Sequence, residues 1–271
     1  MLVSASALAH SITNTATRLG TTLPKHYTAE LDAARKLVAA SAEIDGHTAS
    51  FHAAALTAIR EGRDPGTDPN VQRFAALVGL ADSGIRVAAV DYGNDIVSQA
   101  IAASESDILT SWSTAIAGDL EVLQSAAQKL EVPVLDKAEP LMLRRAGLLE
   151  VWASASASSE RADIALGGVR AILTALHINS GPEYRVMQLA PDASISDYIA
   201  ANAKTGPRET NAWGVARTGA PLRLVTSVTE YTQACARITA ARQEQQRQAD
   251  EADEAEPRRR NRTRTWQPVP R

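Results

Sequence analysis

Apolar residues recur every three or four positions through most of the first 180 residues, a pattern that predicts a series of amphipathic helices. Leu8, Ile12, Ala16 and Leu19 share one face of a segment starting at Ser4. Thr28 can open a second helix carrying Leu31, Ala34, Leu37 and Val38, which Gly46 ends or kinks. Phe51, Ala55, Leu56 and Ile59 mark a third, over Thr48 to Glu61. GRDPGTDPN at 62–70, with two Asp-Pro steps, reads as a loop. Two helical segments hinged near Asp82-Ser83-Gly84 are expected over 71–103. The most regular stripe lies at 105–131, where Leu109, Trp112, Ile116, Leu120, Leu123, Ala127 and Leu130 step by three or four before Pro133. Two more helices are expected between Glu139 and Ile178, separated by the serine-rich stretch 154–159.

The pattern changes after Asn179-Ser180-Gly181-Pro182. Tyr184 to Leu189 and Leu222 to Val225 read as short strands. Ser194-x-x-Asp197 can open a short helix between them, through Ala203. Ser227-x-x-Glu230 reads as a capping box, the serine oxygen accepting an amide while the glutamate reaches back. The helix it opens would bury Val228, Tyr231, Cys235, Ile238 and Ala241 and turn polar all round after them. The fold class expected is therefore mainly α: a helical domain over 1–180, a small α/β unit with two or three short strands over 183–241, and a charged, flexible tail over 242–271.

Composition agrees with the helical pattern. The 51 alanines among 271 residues favour closely packed helices over strands, and aromatics are only 4%. Twenty-three arginines against five lysines, with that alanine content, suggest a GC-rich, actinobacterial-like source or one of its phages. A net charge of −3 excludes coating nucleic acid by bulk charge, and one cysteine excludes an internal disulfide framework. No apolar run reaches the roughly 18 residues of a membrane span, and the N-terminus lacks the basic and apolar regions of a secretory signal. The expected location is the cytoplasm, or a virion if the source is a phage.

Candidate chemistry is sparse. RVAAVDYGND at 86–95 is similar, over about ten residues, to the leading strand of RNase H-like nucleases. Alanine-rich helix follows where further strands would be needed, so Asp91 and Asp95 are read as one solvated helix face. Five histidines occur, at 10, 26, 47, 52 and 177. His47 and His52 would diverge by about 140° on a helix, too far for a shared ion, and only Glu43 with His47 has metal-ligand spacing. The serines at 154, 156, 158 and 159 sit in no nucleophile motif, Cys235 reads as a small buried hydrophobe, and Gly167-Gly168 as a helix contact rather than an anion cradle. No catalytic residue, cofactor or metal is assigned.

The C-terminal segment stands apart. DEADEAE at 250–256 holds five carboxylates, and Arg258, Arg259, Arg260, Arg262 and Arg264 follow, with Trp266 beyond. These six residues are the candidate partner-binding set: arginine forks and an aromatic anchor for an acidic protein surface, or phosphate contacts to nucleic acid. A solubilising end that binds nothing is the third reading. The leading functional expectation is a non-enzymatic structural, assembly or interaction protein, of the kind found in phage virions or their assembly, with self-association or protein partners. The alternatives are a nucleic-acid-associated regulator using the arginine block, and an enzyme with a scattered site among Arg185, Asp197, Tyr198, Arg208 and Glu209.

Overall fold

The computed structural model describes residues 4–44, 46–178, 189–190, 193–204 and 212–264, as backbone alone for 202–204 and 252–264. Of the described residues 78% are helical. Ten α-helices run in order: α1 (Ala5–Leu19), α2 (Lys25–Ala42), α3 (Thr48–Arg60), α4 (Pro69–Asp82), α5 (Ile85–Ala127), α6 (Pro140–Arg145), α7 (Leu149–Ala175), α8 (Ile195–Lys204), α9 (Ala212–Ala216) and α10 (Val228–Arg264). No helix is long and apolar enough to cross a membrane, among the described residues.

Two compact units form, each from two stretches of chain: Met1–Ser111 with Gly167–Asn179, and Trp112–Leu166 with Ser180–Arg271. Helices α5 and α7 each give one part to either unit.

In the first unit, local signals set the helix ends. Ser4 caps α1 by accepting from the Ala7 amide, and Gly20, at φ 72°, closes it while the Thr21 amide reaches back to the Ala16 carbonyl at 2.9 Å. Asp68 caps α4, accepting from the Asn70 and Val71 amides at 2.9 and 3.2 Å just ahead of Pro69. Its other carboxylate oxygen pairs with Arg63. Ile12, Ala16, Leu19, Tyr27, Leu31, Ala34, Val97, Ala100 and Ile101 are buried here. Gly93 marks a tight approach of α2 to α5, since a Cβ there would lie 3.1 Å from the Val38 side chain.

Tyr27 is fully buried, and among the described residues no group stands in good hydrogen-bond geometry to its hydroxyl. Burial pushes its pKa up to about 12, offset in part by the nearby Thr13 hydroxyl, which itself donates to the Ala9 carbonyl, and by the Arg35 charge. The folded phenol holds its proton more tightly than the unfolded one. Its contribution to stability is therefore complete below the ordinary value of 10.0 and is lost as pH rises from there toward about 12. Tyr27→Phe should remove that alkaline loss and leave stability at neutral pH unchanged or higher, because it deletes an unsatisfied buried group. Chemical unfolding at neutral pH and near pH 11 tests this; a clear loss at neutral pH would show that the hydroxyl has a partner.

The second unit is built on the last part of α5 and the first part of α7. Trp112, Ile116, Leu120 and Leu123 are buried as the periodicity predicts, with Ala126 rather than Ala127 continuing the stripe. Facing positions on α7 are small: Ala155, Ser158, Ser159, Ala162 and Ala165 are all buried. Asp119 of α5 accepts from the Ser158 hydroxyl at 3.0 Å and from Arg161 Nε at 2.8 Å, which joins the two helices. Helix α9 is wholly buried, and Trp213 Nε1 donates to the Val132 carbonyl at 3.2 Å.

Three expectations are corrected. The helix does break at Asp82-Ser83-Gly84, between α4 and α5, but the second segment of 71–103 is not separate from 105–131, because α5 runs unbroken for 43 residues. Ser104, at the expected junction, is neither glycine nor proline and is buried in the helix. The serine stretch 154–159 does not divide two helices either; α7 passes through it, and Ser158 is employed in the contact with Asp119. Finally, no strand forms among the described residues, so the small α/β unit lacks support. Leu222 makes one isolated antiparallel bridge, with Leu189, through the hydrogen bond from the Ala190 amide to the Pro221 carbonyl at 2.9 Å. The carbonyls on either side turn to α5 side chains: Ala220 accepts from Gln124 and Leu224 from the Ser113 hydroxyl. The rest of the other candidate strand, 184–188, lies outside the described residues.

Candidate functional site

The residues singled out for chemistry are mostly employed in holding the fold. Asp91 and Asp95 are exposed on α5. His47 Nε2 lies 2.8 Å from the Glu43 carbonyl oxygen, so the Glu43–His47 pair meets through backbone rather than through a shared ion. Its ring stands 5.8 Å from Phe74. His10 and His52 are exposed, and His26 approaches Glu30 at 4.0 Å. His177 takes the left-handed conformation, φ 56°, that ends α7. No group of three or more potential metal ligands forms among the described residues. Gly167-Gly168 lies inside α7, where no loop exists to cradle an anion, and open space surrounds the Cβ position at Gly167. Cys235 is half-buried, because Ala234 takes the fully buried position beside Tyr231 and Ile238.

The zone proposed for an enzyme site dissolves in part. Asp197 and Ser194 form a reciprocal cap on α8: the Ser194 amide donates to Asp197 Oδ2 at 2.8 Å and the Asp197 amide to Ser194 Oγ at 3.2 Å. Tyr198 is fully buried, and the Arg242 guanidinium lies 4.7 Å from its ring centroid. Arg185, Arg208 and Glu209 lie outside the described residues.

Two surfaces remain that the fold does not use. The first is in the first unit. Helices α3 and α4 pack on each other, yet Ala58 and Val71 are the buried residues assigned to them. Leu56 is 67% exposed and Ile59 61%, one turn apart on α3. Leu80 on α4 and Val87, Val90 and Tyr92 on the first turns of α5 are exposed as well. Val90 also lines a cleft of about 410 Å³ with α1 and α2 residues that include Ala9, Leu31, Ala34 and Val38. The sequence pattern placed Leu56 and Ile59 on an apolar stripe but could not tell that they stand exposed among the described residues.

The second surface is the C-terminal part of α10. Ser227 Oγ accepts from the Glu230 amide at 3.0 Å, as the capping box requires. The glutamate, however, reaches one residue further back, to the Thr226 amide and hydroxyl at 2.7 Å each, and also pairs with Arg223. Tyr231, Ala234 and Ile238 anchor the helix, and from Arg242 to Glu251 every residue is exposed. The helix persists there on its own side chains. Arg247 bonds Glu244 at 2.6 Å and Glu251 at 2.6 Å, and Gln246 donates to Asp250 at 2.7 Å. Donation from Arg247 and then Gln248 holds the Glu244 carboxyl below its usual range. The backbone remains helical through Arg264, which carries Arg258, Arg259, Arg260, Arg262 and Arg264 on a continuous rod, while Trp266 lies outside the described residues. Compared with protein-family models, with curated proteins and with solved structures, the chain matches none.

Proposed function

We infer that this chain is a non-enzymatic structural or assembly protein whose work is to present helical surfaces to further copies of itself or to protein partners. The observation that carries the reading is the exposed apolar set on α3, α4 and the start of α5. Leu56 and Ile59 form an exposed apolar pair one turn apart on α3, with Leu80, Val87, Val90 and Tyr92 exposed on the next two elements of the same unit. Adjoining exposed apolar side chains are typical of interaction sites. The structural employment of Asp197 and Tyr198 weakens the enzyme alternative. A role in virion assembly is the narrower form of the same proposal; the alanine- and arginine-rich composition suits such a source.

The test substitutes Leu56→Glu with Ile59→Glu. Both side chains are mostly in water, so the thermal midpoint should move by no more than a degree or two. At high salt, where association through an apolar surface persists, the wild-type chain should gain mass with concentration in light scattering, and the double variant should not. Equal masses for the two proteins across the range would remove the reading.

A further inference from the structure

We propose that the C-terminal arm of α10 pairs antiparallel with the same arm of a second copy, its acidic block against the partner copy's arginine block. The inference goes beyond the apolar surface of the first unit and shares with it only the need for a second copy. Three observations support it. The helix continues to Arg264, so the segment beyond Ala241 is a rod of about 35 Å. Beyond Arg242, which reaches back to the Tyr198 ring, its residues from Gln243 to Glu251 are all exposed, so this part of the rod is not buried against its own body. From Asp250 onward the charges along it change sign once, at Pro257.

Residues 250, 253, 254, 257, 260, 261 and 264 fall on one helix face, three or four positions apart. That face reads Asp250, Asp253, Glu254, Pro257, Arg260, Asn261, Arg264. An antiparallel pair centred on Pro257 sets Asp250 opposite Arg264 and Glu254 opposite Arg260, twice over by symmetry, with no like charges opposed. Asp253 faces Asn261. A parallel pair in register would put every charge against its own kind. Charge therefore chooses both the occupant and its direction, as it does at the flanking positions of coiled coils. An isologous contact of this type closes on itself as a dimer. Acidic residues alone would serve solubility; an equal block of arginines following them makes the rod self-complementary.

The experiment uses the full chain in sedimentation equilibrium at low and high salt. Wild type should dimerise at low salt, with association weakening by roughly tenfold or more at high salt. Association through the apolar surface would hold or strengthen under the same change, so the two contacts are separable. An all-acidic arm (Arg258→Glu, Arg260→Glu, Arg264→Glu) and an all-basic arm (Asp250→Arg, Glu254→Arg, Glu256→Arg) should each lose the salt-sensitive dimer. Mixed one to one, they should recover it as a heterodimer, which a merely misfolded arm could not do. Gln245→Cys in a Cys235→Ser background should form no disulfide-linked dimer, because antiparallel arms hold the two positions far apart. A wild type monomeric at low salt, a dimer indifferent to both arm variants, failure of the mixture to associate, or efficient cross-linking at position 245 would each overturn the proposal. A monomer that binds a DNA duplex through the arginines, with binding lost in the all-acidic arm, would assign the block to nucleic acid instead. None of these outcomes depends on Leu56 or Ile59, whose double variant should keep the arm dimer.

Discussion

Trp112→Ala should destabilise the protein by about 3–5 kcal/mol, the usual cost of deleting a buried indole. Trp112 is fully buried at the point where α5 begins its contribution to the second unit, among Leu109, Ile116, Leu120 and Leu123 on the same stripe. The many small residues of this chain make the site hard to refill. Its neighbours on the stripe, Leu109 and Ile116, are themselves fully buried and already packed, so they cannot move into the void. Trp112 Nε1 has no hydrogen-bond partner, so its indole N–H adds a desolvation cost rather than an anchor. Trp112→Phe should therefore cost well under half as much, since it removes the orphan donor while keeping most of the apolar area. Urea unfolding of the two variants, compared at an unchanged m-value, measures both numbers. An alanine variant with the wild-type midpoint would mean that the ring is not a core residue.

Helix content was legible in the chain because the signal is local. Stripes such as Leu109 to Leu123 and caps such as Ser194 and Ser227 involve residues within a few positions of each other, and each appears where the pattern placed it. Boundaries inside long helices were not legible in the same way. Ser154 to Ser159 looks like a linker by composition, but serine in a helix is tolerated when its hydroxyl finds an acceptor, and that acceptor is Asp119, 39 residues earlier than Ser158. A strand at 222–225 finds no support for a related reason. It needs a neighbour's ladder, and among the described residues Leu222 has a single bridge to Leu189 while Gln124 and Ser113 from α5 donate to the nearby carbonyls. The two units, each assembled from separated stretches, are equally invisible to periodicity, which carries no information on which stripes meet.

The exposed surfaces follow the same division. Charge blocks are a property of sequence alone, and the Asp250-to-Arg264 pattern could be read directly. What changed with the structure is the backbone beneath it, because a helical rod gives those charges a fixed spacing and a face. Leu56 and Ile59 had the opposite history: the stripe was visible, and its lack of cover was not. Burial is decided by partners distant in sequence, so an apolar face without one looks the same in the chain as a core face.

Asp119→Ala should cost about 1–3 kcal/mol, the second-largest loss expected from a single change and one made by a charged residue. Asp119 ties α5 to α7 through side-chain hydrogen bonds. It accepts from the buried Ser158 hydroxyl at 3.0 Å and from Arg161 Nε at 2.8 Å, while Arg161 Nη2 continues to the Ala115 carbonyl at 3.3 Å. The pair is partly sheltered, with side chains 19% and 38% exposed, so its value lies between a surface ion pair and a buried one. Removing the carboxylate leaves Ser158 without its acceptor and Arg161 with only the carbonyl. Asp119→Asn keeps one acceptor oxygen and should lose about half as much. Arg161→Ala alone should cost less than Asp119→Ala, because Ser158 keeps its bond. The cycle with both substitutions should then show a coupling of at least about 0.5 kcal/mol. Coupling that vanishes at high salt would place the pair in solvent, and additive losses would mean that Asp119 and Arg161 each act through separate neighbours.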